Sequence, residues 1–106
     1  MNRARAAEDV FRAIADPTRR AILDRLRAGS APVNDLAADF AQSRPAISKH
    51  LRVLREARLV TEQKVGRERF YTLEPAPLQR AAGWLEGYRG FWQHNLDRLK
   101  RHLEET

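Results

Sequence analysis

Residues Ser43 to Val60 read SRPAISKHLRVLREARLV, and the spacing within this stretch decides the fold. Ile47, Leu51 and Leu54 recur at i, i+4 and i+7, the period that gathers apolar side chains on one face of an α-helix, and that face must be buried. The opposite face carries Arg44, Ser48, Lys49, Arg52 and Arg55, all donors long enough to meet phosphates and base edges. Ser43 is a natural N-cap, and because Pro45 has no N–H its hydroxyl is expected to accept from the Ala46 amide. Pro45 in the first turn removes no helical hydrogen bond. The result is a short helix with a defined start, one core face and one basic face.

A basic helix face is often only a solvated one, so the charge of the surrounding chain matters. Residues 43–73 hold eight Lys or Arg against three acids, a net +5, while the whole 106-residue chain is +6. A surface tuned only for solubility intersperses both signs, whereas this concentration is the electrostatic footprint of a nucleic-acid site.

Working outward, the chain downstream changes period from helical to alternating at Leu59. Val60, Glu62, Lys64 and then Arg69, Tyr71, Leu73 are two strands of about five residues around Gly66 and Arg67, a β-hairpin. Tyr71 and Leu73 offer one side to the core, and the tip presents Arg67 flanked by Lys64 and Arg69, able to lie along a phosphate backbone or enter a minor groove. A hairpin placed directly after a recognition helix is a wing.

Upstream, Asn34 is expected to cap a short helix over Leu36, Ala37 and Phe40, with small Ala37 where it crosses the basic helix. Two short helices separated by about three residues are the helix-turn-helix arrangement. Pro32 makes Ser30 to Val33 an extended piece. Before it, Asp16 and Pro17 open a scaffold helix over Ile22, Leu23 and Leu26 that closes at Gly29. Arg19 and Arg20 near its start lie within reach of a phosphate, although plain scaffold is the simpler reading. Val10, Phe11 and Ile14, with Ala7 behind them, form a first helix ending near Ala15, because the residue before Pro17 is pushed out of the α region.

Pro75 and Pro77 start a last helix, expected over about 77–104, with Leu78, Ala82, Leu85, Tyr88, Trp92, Leu96, Leu99 and Leu103 at spacings of three or four. Its stripe and the large rings of Tyr88, Phe91 and Trp92 exceed what so small a domain can cover, so a second copy is expected to cover them. The expected dimer face is Val10, Phe11, Leu85, Tyr88, Trp92, Leu96 and Leu99. Gly83, Gly87 and Gly90 share a face at spacings of four and three, which fits either close helix approach or a kink.

The expected fold is therefore mainly α with a small β-hairpin wing, a winged helix-turn-helix of five helices in one domain over 1–106, dimerised through its first and last helices. A composition of 42% hydrophobic and 32% charged residues is that of a globular chain. With no cysteine there is no disulfide, thiolate nucleophile or thiolate metal site. No apolar run approaches the roughly 20 residues of a membrane span, and Met1 leads into a polar start without a signal-peptide core, so a cytoplasmic protein is expected. There is no clustered acid pair and no phosphate loop, and the three histidines lie in unrelated contexts, so no catalytic residue and no enzyme is expected.

Taken together these residues resemble the ArsR-type bacterial winged-helix repressors. Asp16, Pro17, Thr18, Arg19, Arg20 with Ile22 and Leu23 look like the family's opening; Ser48, Lys49, His50, Leu51, Val53, Leu54, Leu59 and Val60 look like its recognition-helix signature; Gly66, Arg67, Tyr71 and Leu73 look like its wing. The resemblance covers roughly residues 8–75. It implies a dimeric DNA-binding repressor whose recognition helices enter successive major grooves, with DNA contacts from Ser43, Arg44, Ser48, Lys49, His50 and Arg67. Arg58 stands where the family usually has a glycine with φ > 0, which implies strain of about 1 kcal/mol.

Family members that sense metals use Cys pairs in the third helix or Asp, His and Glu on the last. The segment Val33 to Phe40 holds no thiol, and His94, Asp97, His102 and Glu105 match the last-helix pattern poorly, with Trp92 where a carboxylate belongs. No metal and no cofactor are expected. The aromatic last helix resembles the cysteine-free branch of SdpR-type autorepressors, which implies control of its own operon. The expectation is a homodimeric repressor on an inverted repeat of double-stranded DNA, without membrane attachment. A metal- or ligand-responsive repressor of the same fold and a winged-helix protein-interaction module are the alternatives.

Overall fold

The computed structural model describes residues 3–105, with side chains from Glu8 onward, so the Ala7 side chain of the first stripe lies outside the described residues. The order is α1 (Arg3–Ile14), α2 (Pro17–Leu26), β1 (Ala31–Pro32), α3 (Val33–Asp39), α4 (Arg44–Glu56), β2 (Val60–Val65), β3 (Glu68–Leu73), α5 (Ala76–Glu86) and α6 (Arg89–Glu104). Five helices were expected and six are described, because the C-terminal segment is not one helix. It breaks at Gly87 and Tyr88, whose amides drop to i−3 bonds on the Trp84 and Leu85 carbonyls. Glycine has the weakest helix preference short of proline, and no side chain here is buried to hold the turn.

Local chemistry sets most boundaries. Asp16 caps α2, its carboxylate accepting from the Arg19 amide at 3.0 Å, and Pro17 occupies the first turn. The Ser43 hydroxyl caps α4 by accepting from the Ala46 amide at 3.3 Å. Asn34 does not cap α3. That helix already begins at Val33, after Pro32, with no side-chain cap.

Helices α3 and α4 end alike. The Gln42 amide reaches the Ala37 carbonyl and the Ala41 amide the Ala38 carbonyl; likewise Leu59 reaches Leu54 and Arg58 reaches Arg55. These are paired Schellman closures, which place one left-handed residue after the helix. Those residues are Ala41 (φ 50°) and Arg58 (φ 62°) rather than glycines.

The sheet has order β1-β3-β2 and is antiparallel throughout, so the expected hairpin gains a third, edge strand. Ala31 pairs with Tyr71 and Pro32 with Phe70, a place where proline's missing donor is tolerated. Val65 pairs with Glu68, leaving Gly66 and Arg67 as a two-residue turn in which only Gly66 has positive φ (65°). That is the pattern of a type II′ hairpin turn. The core is apolar: Ile22, Leu36, Ile47, Leu51, Leu54, Leu59 and Val60 are its largest fully buried side chains, and none of the described buried residues is polar or charged.

Candidate nucleic-acid interface

Burial of Ile47, Leu51 and Leu54 fixes the rotation of α4, and the remaining residues fall to either side of that stripe. On one flank Pro45, Ser48, Lys49, Arg52 and Arg55 face β2 and β3 across an open cleft of about 500 Å³, completed by Glu62, Arg69 and Tyr71. Register extends the surface. Glu62 pairs with Tyr71 and Lys64 with Arg69, and directly opposed residues of an antiparallel ladder share a face. This face of the hairpin grades from buried Val60, through Glu62 and Tyr71, to Lys64 and Arg69 near the Arg67 tip. The recognition helix thus presents Lys49, Arg52 and Arg55 to this cleft and the wing presents Arg69, with Lys64 beside it on the same hairpin face.

Glu62 is the cleft's one acid. Its carboxylate accepts from Arg55 Nη1 at 2.7 Å, from the Tyr71 hydroxyl at 2.8 Å, and from Arg69 Nη1. These donors stabilise its charged form, the Tyr71 hydrogen bond most and then the Arg69 and Arg55 guanidiniums, and hold its pKa below the usual carboxylate range. Burial, reinforced by Glu62, pushes the Tyr71 phenol up to about 12. Among the described residues Arg44, Lys49, Lys64 and Arg67 form no ion pair and are exposed, while Arg52 makes only a loose 4.0 Å contact with Glu56.

Sequence relatives bear on what such a cleft does. The family profile described as "bacterial regulatory protein, arsR family" matches residues 16–62, the span from the α2 cap to Glu62. The chain is 46% identical over 78 residues to the HTH-type transcriptional regulator Rv2034 of Mycobacterium tuberculosis, covering 74% of this chain and 73% of that one. It is 40% identical over 77 residues to the transcriptional repressor SdpR of Bacillus subtilis, covering 73% and 86%. The chain belongs to the ArsR family. Solved structures agree: an ArsR-like transcriptional regulator from Rhodococcus sp. RHA1 superposes with a TM-score of 0.72 at 36% identity, over 92% of both chains. A possible transcriptional regulator for arsenical resistance gives 0.73 at 46% identity, over 89% of this chain and 95% of that one.

This ArsR-family protein is a winged-helix DNA-binding transcriptional regulator, and its family and relatives are regulators rather than enzymes. No helix among the described residues is long and apolar enough to cross a membrane. Nor does any group of three or more His, Asp or Glu among them come together as a metal-binding set.

The residues expected to meet DNA divide into three groups by where they lie. Arg44, Ser48, Lys49, Arg52, Lys64 and Arg67 are exposed on or beside the cleft, and Ser43, although it accepts as a cap, keeps its O–H to donate. Arg55 and Arg69 are exposed but tied to Glu62.

His50 departs from its expected outward aim. It lies on the other flank of α4, half-buried, with Nδ1 at 3.9 Å from Asp16 Oδ2 and 3.5 Å from Arg19 Nη1. Arg19 and Arg20 serve the scaffold: Arg19 donates to the Ala13 and Arg12 carbonyls and Arg20 to those of Ile14 and Ala15, closing the end of α1. On the assigned dimer face Val10 is buried within the subunit and has no surface for a second copy. Phe11 stands edge-on to Trp84 at 5.4 Å, and Trp84, Tyr88 and Trp92 continue as a ladder of rings.

Proposed function

We propose that this chain is a homodimeric repressor that occupies an inverted-repeat operator from the cytoplasm and blocks transcription there. The observation that carries the reading is the shared cleft: Lys49 and Arg52 of α4 and Arg69 of the wing line one side, and the register sets unpaired Lys64 beside Arg69 on the same hairpin face, as groove and backbone contacts require. Ser43, Arg44, Ser48, Lys49 and Arg52 address the major groove and its phosphates, with Lys64 and Arg67 on the flanking backbone. Resemblance to the SdpR-type branch supports control of its own operon.

The dimer is supported by α6. A 16-residue helix is marginal in water alone, and none of its residues is buried in its own subunit. Phe91, Trp92, Leu96 and Leu99 keep 49–63% of their surface exposed, an apolar stripe that a second copy covers economically. Two recognition helices roughly 34 Å apart then read half-sites one turn of DNA apart.

Selection from a random DNA pool, followed by footprinting at physiological salt, tests the proposal. A palindromic site is expected, with binding that weakens steeply with salt and weakens further in Lys49→Gln and Arg44→Gln. Protection without sequence preference overturns it.

A further inference from the structure

Glu62 is an acid in the middle of a surface otherwise built to meet a polyanion, and it is not a solvated one. Its side chain is 16% exposed, against 45% for Arg55 and 56% for Arg69. Tyr71 anchors it from below through Oε2. Three donors on one carboxylate fix both guanidiniums in place, one from the recognition helix and one from the wing.

We infer that Glu62 is a specificity-determining residue of the DNA interface, holding Arg55 and Arg69 so that backbones that do not fit the cleft are bound less well. The inference rests on the repressor reading above. Each guanidinium has five N–H donors and commits one to Glu62. A phosphate arriving at the right point joins the pair without disturbing it. A phosphate displaced from that point must pull an arginine off a largely buried carboxylate, which leaves that charge short of a partner and facing a second anion. Specificity of this kind comes from penalising the wrong partner more than from attracting the right one.

The experiment compares wild type with Glu62→Gln, which keeps the side-chain shape and an acceptor for the Tyr71 hydroxyl. Affinities are measured across a salt series for the operator selected from the pool and for a scrambled duplex. On the scrambled duplex the variant is expected to bind roughly tenfold more tightly. Its log–log salt slope is expected to steepen by about 1 to 2 units as the released arginines reach phosphates. Operator affinity changes much less, so the specificity ratio falls. Equal tightening on both duplexes, or an unchanged ratio, overturns the inference.

Should Glu62→Gln fail to fold, Arg55→Gln in the otherwise wild-type chain decides. On scrambled DNA it is expected to remove far less of the salt slope than the ~0.9 unit expected for Lys49→Gln. A full ~0.9 unit overturns the inference. A wild-type chain that selects no sequence at all sinks the repressor reading, and this inference with it, whereas a selective wild type with an unmoved ratio sinks this inference alone.

Discussion

Replacing Arg58 by glycine is expected to stabilise the protein, against the usual direction of mutations to glycine. Arg58 sits at φ 62° immediately after α4, in the left-handed slot of a Schellman closure. An L-residue there is strained by roughly 1–2 kcal/mol. The two closing hydrogen bonds, Arg58 to Arg55 and Leu59 to Leu54, are each 2.9 Å and purely backbone, so they survive the substitution. Glycine removes the Cβ clash but adds freedom to the unfolded chain, which offsets about 0.5–1 kcal/mol. The net expectation is about 0.5–1 kcal/mol of added stability, a rise in Tm of roughly 2–8 °C for a chain of this size. Thermal and urea unfolding at fixed protein concentration measure it, since the midpoint of an associating chain moves with concentration. Arg58→Ala is the control. It discards the charge but keeps the strain, and is expected within about 0.5 kcal/mol of wild type. An Arg58→Gly protein no more stable than wild type, or an Arg58→Ala protein equally stabilised, refutes the reasoning.

Asp16→Ala removes the α2 cap and its 3.0 Å bond to the Arg19 amide, and is expected to lower stability by about 1 kcal/mol in urea titration. The Asp16 carboxyl is held below its ordinary value first by that backbone bond, and Glu62 is lowered as well. Their contribution is therefore complete at neutral pH and declines as pH falls through the ordinary carboxylate range toward the lowered folded values, so Glu62→Gln should show a flatter acid limb in stability against pH. Tyr71 moves the other way: with the phenol raised from 10.0 to about 12, the stability it confers is present below pH 10 and lost between there and about 12. Tyr71→Phe is expected to lack that alkaline decline, as denaturant midpoints at stepped pH will show. Leu96→Glu on α6 is expected to halve the mass in light scattering while leaving the far-ultraviolet circular dichroism of the domain in place, and an unchanged mass removes α6 from the dimer interface.

What was legible in the sequence was local. Ser43 with Pro45 and Asp16 with Pro17 determine helix starts within three residues of themselves, so the structure keeps both. The apolar stripe of α4 was readable because a single period selects it, and the strain at Arg58 followed from a resemblance confirmed by its φ. The Glu62 network was missed although the signal existed: a two-residue turn at Gly66 and Arg67 forces Glu62 opposite Tyr71 once the register is counted. The closure of α1 by Arg19 and Arg20 had no such signal, because it depends on how two helices cross. A different crossing, that of α4 past the start of α2, turned His50 toward Asp16. Asn34 was displaced as a cap because Pro32, taken into the sheet as an edge residue, starts α3 two residues earlier. Three glycines in the last segment gave equal propensity arguments, and nothing local singled out Gly87 as the place of the break.

That break separates two jobs that most single helices would fuse. Through Phe11 and Trp84, α5 is attached to the reading head, while α6 buries nothing in its own subunit and is the arm proposed for a second copy. In the proposed dimer, the two residues between them, Gly87 and Tyr88, would set the elevation of each head over the two-fold axis. On that proposal, drift at Gly87 or Tyr88 would retune the spacer length between half-sites while leaving the letters read within each half-site alone, so new operators would become reachable without any change in α4.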